Sequence, residues 1–124
     1  MKKNTENIVE LLGPLNTLLK RGEVAYKNYI SNEKQFLYAK ILKDNNERIR
    51  QLILEKSHLL PLDQQSNAID LVTHIDIWHI LWEDLNKRKT HNLDEAFSFE
   101  NQATFPKESV ASLYAFYLDA INKK

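Results

Sequence analysis

The sequence predicts an all-α protein, an antiparallel four-helix bundle of three long helices and a shorter C-terminal one. Apolar residues recur at spacings of three and four in four separate segments, which is the period of an α-helix. The densest apolar segment, residues 69–85, alternates apolar and polar residues for only one step, so it does not fit a β-strand. Two glycines and three prolines supply few turns for an all-β fold. One domain covering residues 1–124 is expected.

The segment 69–85 contains both tryptophans and forms the predicted centre of the fold. Its apolar stripe follows spacings of three and four: Ala68, Leu71, Ile75, Trp78, Trp82 and Leu85. Further apolar residues widen this stripe: Val72, Ile77, Ile80 and Leu81. We therefore expect a helix over about 63–88, capped by Asp63, with both indoles buried and at least two neighbouring helices covering it.

The first helix is predicted over about residues 5–30. Its apolar stripe keeps the same phase across Gly13-Pro14. Proline inside a helix removes a hydrogen bond and clashes with the preceding turn, so this segment is either one helix kinked at Gly13-Pro14 or two consecutive helices. The unbroken stripe favours the kinked helix. Gly22 falls on the stripe, where a missing side chain lets a neighbour approach closely.

The second helix is predicted over about residues 33–57, with an N-cap at Ser31-Asn32. Its middle is polar, and Asn45 lies in register between Ile41 and Ile49. We expect Asn45 to be partly exposed. A buried asparagine at this position would instead fix the helix register or bind a ligand, so Asn45 is a candidate binding residue.

A 15-residue connection, residues 90–104, precedes the fourth helix, which Pro106 opens in its first turn. The connection is long for a compact bundle. Phe97 and Phe99 give it apolar anchors. Two interpretations remain open: a lid that packs over one end of the bundle, or a binding loop that makes Phe97 and Phe99 candidate binding residues.

Composition limits the compartment and the partners. Cysteine is absent, which excludes disulfides and thiolate sites. No apolar run approaches the roughly 18 residues of a membrane span, and polar residues interrupt the first 15 residues, so we expect no secretory signal, no membrane association and a cytoplasmic location. Residues 1–58 hold 11 Lys and Arg against 7 Asp and Glu, and residues 59–124 hold 6 against 10. This asymmetry is too small for nucleic-acid binding but allows the halves of two chains to attract each other.

Asp76, His79 and Glu83 lie on one face of the predicted third helix and are the strongest candidate binding cluster. An acidic residue three before a histidine resembles half of a di-metal site in four-helix bundles, and Glu55 and His58 repeat that spacing. Antiparallel pairing places His79 level with about residue 41 and leaves His58 about 25 Å away, at 1.5 Å per residue. We therefore expect no metal and no cofactor.

No catalytic arrangement converges in the sequence, so the predicted function is non-catalytic. We expect a protein-binding or regulatory helical module, such as a small adaptor, antitoxin or immunity-like protein, that binds a protein partner or forms a homodimer. Five tyrosines support this expectation, because tyrosine is enriched at interfaces. Two alternatives stay open. One is a small-ligand-binding bundle. The other is an RNase of the HEPN class, although Arg50 with His58 and Arg88 with His91 match its arginine–histidine pair poorly.

Overall fold

The computed structural model describes residues 2–101 and 104–122, with side chains from residue 7 onwards. Four helices follow in order: α1 (Lys2–Ser31), α2 (Phe36–Lys56), α3 (Leu62–Asn86) and α4 (Lys107–Asn122). A short 3-10 turn, Ser57–Leu59, joins α2 to α3. The described residues form no β-strand beyond one isolated bridge. The predicted all-α four-helix bundle, with three long helices and a shorter fourth, is confirmed.

Consecutive helices run antiparallel, as their side-chain contacts show. The contacting pairs are Glu10–Lys56 and Leu18–Asn45 between α1 and α2, Ala39–Trp82 and Arg50–Asp76 between α2 and α3, and Gln64–Ser112 and Asp70–Ser109 between α3 and α4. Helix α1 also packs on α4, whereas the Cα atoms of the described parts of α1 and α3 stay more than 8 Å apart. Helices α1 and α3 therefore lie diagonally across the bundle.

Helix α1 continues through Gly13-Pro14 without interruption, so the prediction of one helix rather than two is confirmed. Pro14 lacks the N–H that would donate to the carbonyl four residues earlier, and it lies on the exposed side. The buried residues around it are Leu11, Leu12 and Leu15. Their packing against the other helices holds the two halves of α1 in one helix.

Two clusters of buried apolar residues form the interior. The aliphatic cluster contains Leu11, Leu12, Leu15, Ile49, Ile53, Leu60, Ala68, Leu71, Val72, Ile75 and Leu113. The aromatic cluster contains Phe36, Ala39, Trp82 and Phe97, with Tyr29, Trp78, Leu85 and Phe99 packed around it. Trp82 is buried and its Nε1 donates to the Ala39 carbonyl at 3.2 Å. Trp78 is only half-buried, so the prediction of two buried indoles is confirmed for Trp82 alone.

The start of α2 differs from the sequence prediction. The helix begins at Phe36, three residues later than expected, and not behind a Ser31-Asn32 cap. The N–H groups of Phe36 and Leu37 donate instead to the carbonyls of Glu95 and Leu93, at 2.8 and 2.9 Å. The first N–H groups of a helix have no partner within the helix, and here the backbone of the α3–α4 connection supplies one.

Helix α3 also begins differently from the prediction. It starts at Leu62, and Pro61 occupies the capping position with no side-chain hydrogen bond. Asp63 therefore lies inside the first turn and is not the cap. The reason is that Pro61 already holds the extended backbone that a helix start requires. The Asp63 carboxylate still lies close to the positive end of the helix dipole.

Candidate functional site

An open groove of about 730 Å³ runs between α2 and α3 and is the strongest candidate site. Its lining residues are Glu47, Arg50, Gln51, Leu54 and Glu55 from α2, with Asp76, His79 and Ile80 from α3. Leu54 and Ile80 are both exposed. The groove therefore combines two exposed aliphatic side chains, one from each helix, with six charged or polar ones.

Two ion-pair contacts cross from α2 to α3 on either side of His79. The Arg50 Nε donates to the Asp76 Oδ1 at 2.6 Å. One turn beyond His79, the Lys43 Nζ lies 3.2 Å from the Glu83 Oε1. The same ammonium group donates to Glu47 at 2.6 Å, and this hydrogen bond is the main reason that the pKa of Lys43 is raised. These long side chains connect α2 and α3 across a gap that apolar packing does not fill.

His79 places a buried polar atom beside this gap. Among the described side chains, its Nε2 is one of two buried nitrogen or oxygen atoms without a hydrogen-bond partner, the other being the Nδ1 of His74. Burial lowers the pKa of His79 below its usual 6.5, so the imidazole is neutral at pH 7. A buried polar atom without a partner destabilises a fold by about 1–3 kcal/mol. Such an atom is a reason to look for a binding role.

The predicted cluster of Asp76, His79 and Glu83 does lie on one side of α3, facing α2. Asp76 and His79 line the groove, and Glu83 lies beyond its end, at Lys43. Each carboxylate pairs with a cation on α2 and neither pairs with the imidazole. The register is also close to that predicted, because the carbonyl that accepts the Trp82 hydrogen bond belongs to Ala39.

No family model, curated protein or solved structure matches the chain. Within residues 2–101 and 104–122, no helix is long and apolar enough to cross a membrane. In the same described ranges, no three histidine, aspartate or glutamate side chains come close enough together to hold a metal ion. The functional argument therefore rests on the geometry of the groove and of the surfaces around it.

Asn45 lies away from the groove, on the α1 side of α2. Its exposed fraction is 0%, so the expectation of partial exposure is wrong. The Asn45 Nδ2 donates to the Leu18 carbonyl at 2.9 Å, and the Oδ1 accepts from Arg21 at 3.2 Å. Gly22 makes room for this amide, since a Cβ at Gly22 would lie 2.7 Å from the Nδ2. The close approach predicted at Gly22 is confirmed. The Asn45 side chain joins α2 to α1 through its two hydrogen bonds.

Phe97 and Phe99 both pack against the bundle. Phe97 is buried, and its ring centroid lies 4.8 Å from that of Trp82 and 5.0 Å from that of Phe36. Its carbonyl accepts a hydrogen bond from the Tyr29 hydroxyl. Phe99 is half-buried, 6.0 Å from Trp78 between ring centroids. The described part of the connection thus covers the end of the bundle where α2 begins, as expected of a lid.

The two arginine–histidine pairs considered for RNase chemistry do not form a common site. The His91 side chain is 3% exposed, and its ring nitrogens contact Glu95 at 3.2 Å and the Leu85 carbonyl at 3.3 Å. His91 therefore belongs to the aromatic end of the bundle. His58 is exposed on the 3-10 turn and does not line the groove. Arg50 shares the groove with His79 instead.

Sequence periodicity missed one surface, the solvent side of α3. We define the α3 outer face by Leu62, Ile69, Thr73, Ile77 and Ile80, which follow one another at one- or two-turn spacings. Leu62 is 81% exposed and Ile80 is 69% exposed, so the expectation that neighbouring helices cover Ile77 and Ile80 is wrong for this chain. One sequence feature could have pointed to this surface. Helix α3 carries apolar residues on all its sides, and such a helix is normally covered on every side by other parts of a protein or by a partner.

Proposed function

We propose that the protein is a non-catalytic protein-binding module. Its interface is the α2–α3 groove together with the α3 outer face. The observation that carries this proposal is the exposure of four large aliphatic side chains along one side of a helix: Leu62, Ile69, Ile77 and Ile80. An apolar surface of this kind marks an interaction site, whereas apolar residues scattered singly over a surface do not.

The arrangement of the groove supports binding rather than catalysis. Its guanidinium and the nearest carboxylate, Arg50 and Asp76, already pair with each other at 2.6 Å. The unpartnered nitrogen of His79 is buried behind the groove surface. Catalysis needs a base within hydrogen-bond reach of a substrate, and a carboxylate paired with an arginine and a buried imidazole nitrogen do not meet that requirement. A regulatory role as an adaptor, antitoxin or immunity-like protein, a homodimer and a cytoplasmic location stay predictions from the sequence.

A second candidate function is small-ligand binding in the same groove. The observation in its favour is the volume of about 730 Å³, which lies in the range of about 300–1,000 Å³ typical of ligand sites. Gln51 and Arg50 would supply polar contacts, and Leu54 and Ile80 would supply apolar ones. Asn45, the other position at which a ligand was considered, has no such space because its amide fills the contact with α1.

Site-specific photocrosslinking tests the protein-binding proposal. A photoreactive phenylalanine analogue replaces Ile80 in the full-length protein, and a second variant carries it at Val24. The control is matched, because Val24 is also an exposed aliphatic residue, at 58%, but lies on α1 across the bundle. After irradiation in native cells, we expect adducts of discrete mass from position 80 and not from position 24. Light scattering on the purified protein then separates self-association from binding of another protein.

The proposal fails if position 80 yields no adduct, or if both positions yield the same adducts. Binding of a small molecule at the groove, seen as amide shifts confined to residues near His79 and Leu54 in a protein that forms no adducts, would favour the second candidate.

A further inference from the structure

We propose, on the basis of the proposed function, that the α3 outer face binds a basic amphipathic helix of a partner protein. The occupant is a helix that presents aliphatic residues along one side and lysine or arginine along the flanks of that side. Three features of the described residues support this choice: the length and spacing of the apolar residues, the charge around them, and the position of the basic surface of this chain.

The α3 outer face has the dimensions of a helix-binding surface. From Leu62 to Ile80 it spans nineteen residues of one helix, about 27 Å at a rise of 1.5 Å per residue. Its apolar side chains recur at intervals of about one or two turns, so they match the i, i+3, i+4 and i+7 anchors of a helical partner. The adjoining groove, with Leu54 on its opposite wall, adds a depression beside Ile80 into which a side chain of that partner fits.

The charge around this surface is negative. Helix α3 carries five carboxylates, Asp63, Asp70, Asp76, Glu83 and Asp84, and neither lysine nor arginine. Three of the five pair with the cations Arg50, Lys43 and Arg88 of this chain, so the carboxylates still outnumber the cations around the surface. The groove adds Glu47 and Glu55, with Arg50 as its one lysine or arginine among the described lining residues. An apolar strip bordered by carboxylates selects a partner with positive charge on both flanks, because opposite charges at the rim speed encounter and like charges reject the wrong partner.

A second copy of this chain does not supply that partner in a closed dimer. A two-fold contact of α3 with α3 is self-complementary by symmetry, so it would bring the same carboxylates of both copies together. Exposed basic and aliphatic residues do occur on α1, at Lys20, Val24 and Lys27. Helix α1 lies diagonally opposite α3, so contacts of α1 with α3 of another copy would be head-to-tail and would not close into a dimer.

Two synthetic peptides test the inference against the full-length protein. Both are 18-residue helices with leucine at i, i+3, i+4 and i+7. One carries lysine on the flanks and the other carries glutamate at the same positions. By fluorescence anisotropy in low salt, we expect the lysine peptide to bind at least about tenfold more tightly, with an affinity that falls as salt is added. Amide shifts on binding should map to α3 and to the groove side of α2.

Variants of the protein locate the contact. Ile80→Asp should abolish binding of the lysine peptide, and the matched change Val24→Asp should leave its affinity unchanged. The double variant Asp70→Asn with Asp84→Asn should weaken binding about threefold to tenfold, because each change removes one rim charge. Both aspartates are exposed, and circular dichroism checks that each variant keeps its helices.

Each other outcome overturns the inference in a recognisable way. If both peptides bind equally, or the double variant is unaffected, then charge does not select the partner, and the protein-binding proposal survives. If neither peptide binds but light scattering shows assembly that Ile80→Asp disrupts, the occupant is a second copy. If neither peptide binds and the photoreactive residue at position 80 gives no adduct, both the inference and the proposed function are wrong.

Discussion

Helix α2 packs against α1 around one polar side chain and against α3 around another, and the two side chains differ in how completely they are hydrogen-bonded. At the α1 contact, Asn45 is buried, both polar atoms of its amide are hydrogen-bonded, and Gly22 lies directly against the amide. At the α3 contact, His79 has a buried nitrogen without a partner and borders a groove of about 730 Å³. A fully satisfied polar group between helices fixes structure, whereas a buried polar atom without a partner lowers the stability of the contact in which it lies.

The difference follows from the residues opposite each polar group. Gly22 removes the side chain that would keep α1 away from Asn45, so the two backbones come close enough for a direct hydrogen bond to Leu18. On the α3 side, long charged side chains, such as Arg50 paired with Asp76, span the interval between the helices. Such a pair bridges a gap without filling it.

The largest effect is expected from Asn45→Leu. The substitution removes the hydrogen bonds to the Leu18 carbonyl and from Arg21, and it places a branched side chain against Gly22. We expect the free energy of unfolding to fall by about 2–4 kcal/mol, as a lost buried hydrogen-bond network with overpacking implies. Urea denaturation followed by circular dichroism measures it. An unchanged midpoint would mean that Asn45 does not hold α1 and α2 together.

A smaller loss is expected from Gly22→Ala, with Gly13→Ala as the matched control in the same helix. The new Cβ at Gly22 would lie 2.7 Å from the Asn45 amide nitrogen, whereas at Gly13 the nearest atom, on Val9, is 4.0 Å away. We expect Gly22→Ala to destabilise the protein by about 1–3 kcal/mol. For Gly13→Ala we expect a change of less than about 1 kcal/mol, because the better helix propensity of alanine is offset by the Pro14 ring, which disfavours a helical residue with a Cβ immediately before it. Equal effects in thermal unfolding would contradict the close contact.

Two histidines of α3 should make stability depend on pH: His79 at the contact with α2, and His74, whose ring packs on that of Phe105 before α4. Burial lowers the pKa of both His79 and His74 below 6.5. Below pH 6.5 the unfolded chain therefore binds more protons than the folded protein, and stability falls as the pH decreases from 6.5 towards the folded pKa values. Each imidazole contributes at most about 1.4 kcal/mol per pH unit. Urea titrations between pH 7.5 and 5.5 measure this slope, and a flat profile would contradict the burial of both rings.

Replacing the unpartnered group itself should cost little stability, unlike the replacement of Asn45. His79→Leu removes a buried nitrogen without a hydrogen bond, but it also removes the hydrogen bond of the ring to the Lys43 backbone, and it keeps a side chain of similar bulk between α2 and α3. Because these two changes have opposite signs, we expect the free energy of unfolding at pH 7.5 to change by less than about 1 kcal/mol, well below the loss expected for Asn45→Leu. The same variant should lose the part of the pH dependence that His79 contributes and keep the part from His74. A loss of stability comparable to that of Asn45→Leu would remove the distinction between the two contacts.

The sequence predicts a contact of α2 only where local patterns contain the necessary information. Helical spacing identifies the register of Asn45 between Ile41 and Ile49, and a glycine on an apolar stripe indicates a close approach. The burial of Asn45 was predicted wrongly, because neither pattern shows that Gly22 and Asn45 lie opposite each other. The start of α2 was not predictable, because the carbonyls that accept hydrogen bonds from its first N–H groups belong to residues more than fifty positions away. Local patterns contain no information about such a partner.

The candidate site itself was predictable only in part. Spacing places Asp76, His79 and Glu83 on one face of a helix, but it does not reveal which of them face a gap and which pair with α2. Periodicity likewise identifies Ile77 and Ile80 as apolar without showing whether this chain covers them. Whether other helices cover a face depends on tertiary packing, and in this structure they cover only part of α3.

The smallest effect is expected at the α3 outer face. Ile80→Ser changes a side chain that is already 69% exposed. The substitution therefore removes little buried apolar area from the folded protein. We expect the free energy of unfolding of the isolated protein to change by less than about 0.5 kcal/mol, measured by urea denaturation at a concentration where the protein is monomeric. A loss of 2 kcal/mol or more, on the order of a buried core truncation, would mean that Ile80 is already covered. In that case the α3 outer face would belong to the folded core and would not be available to a partner.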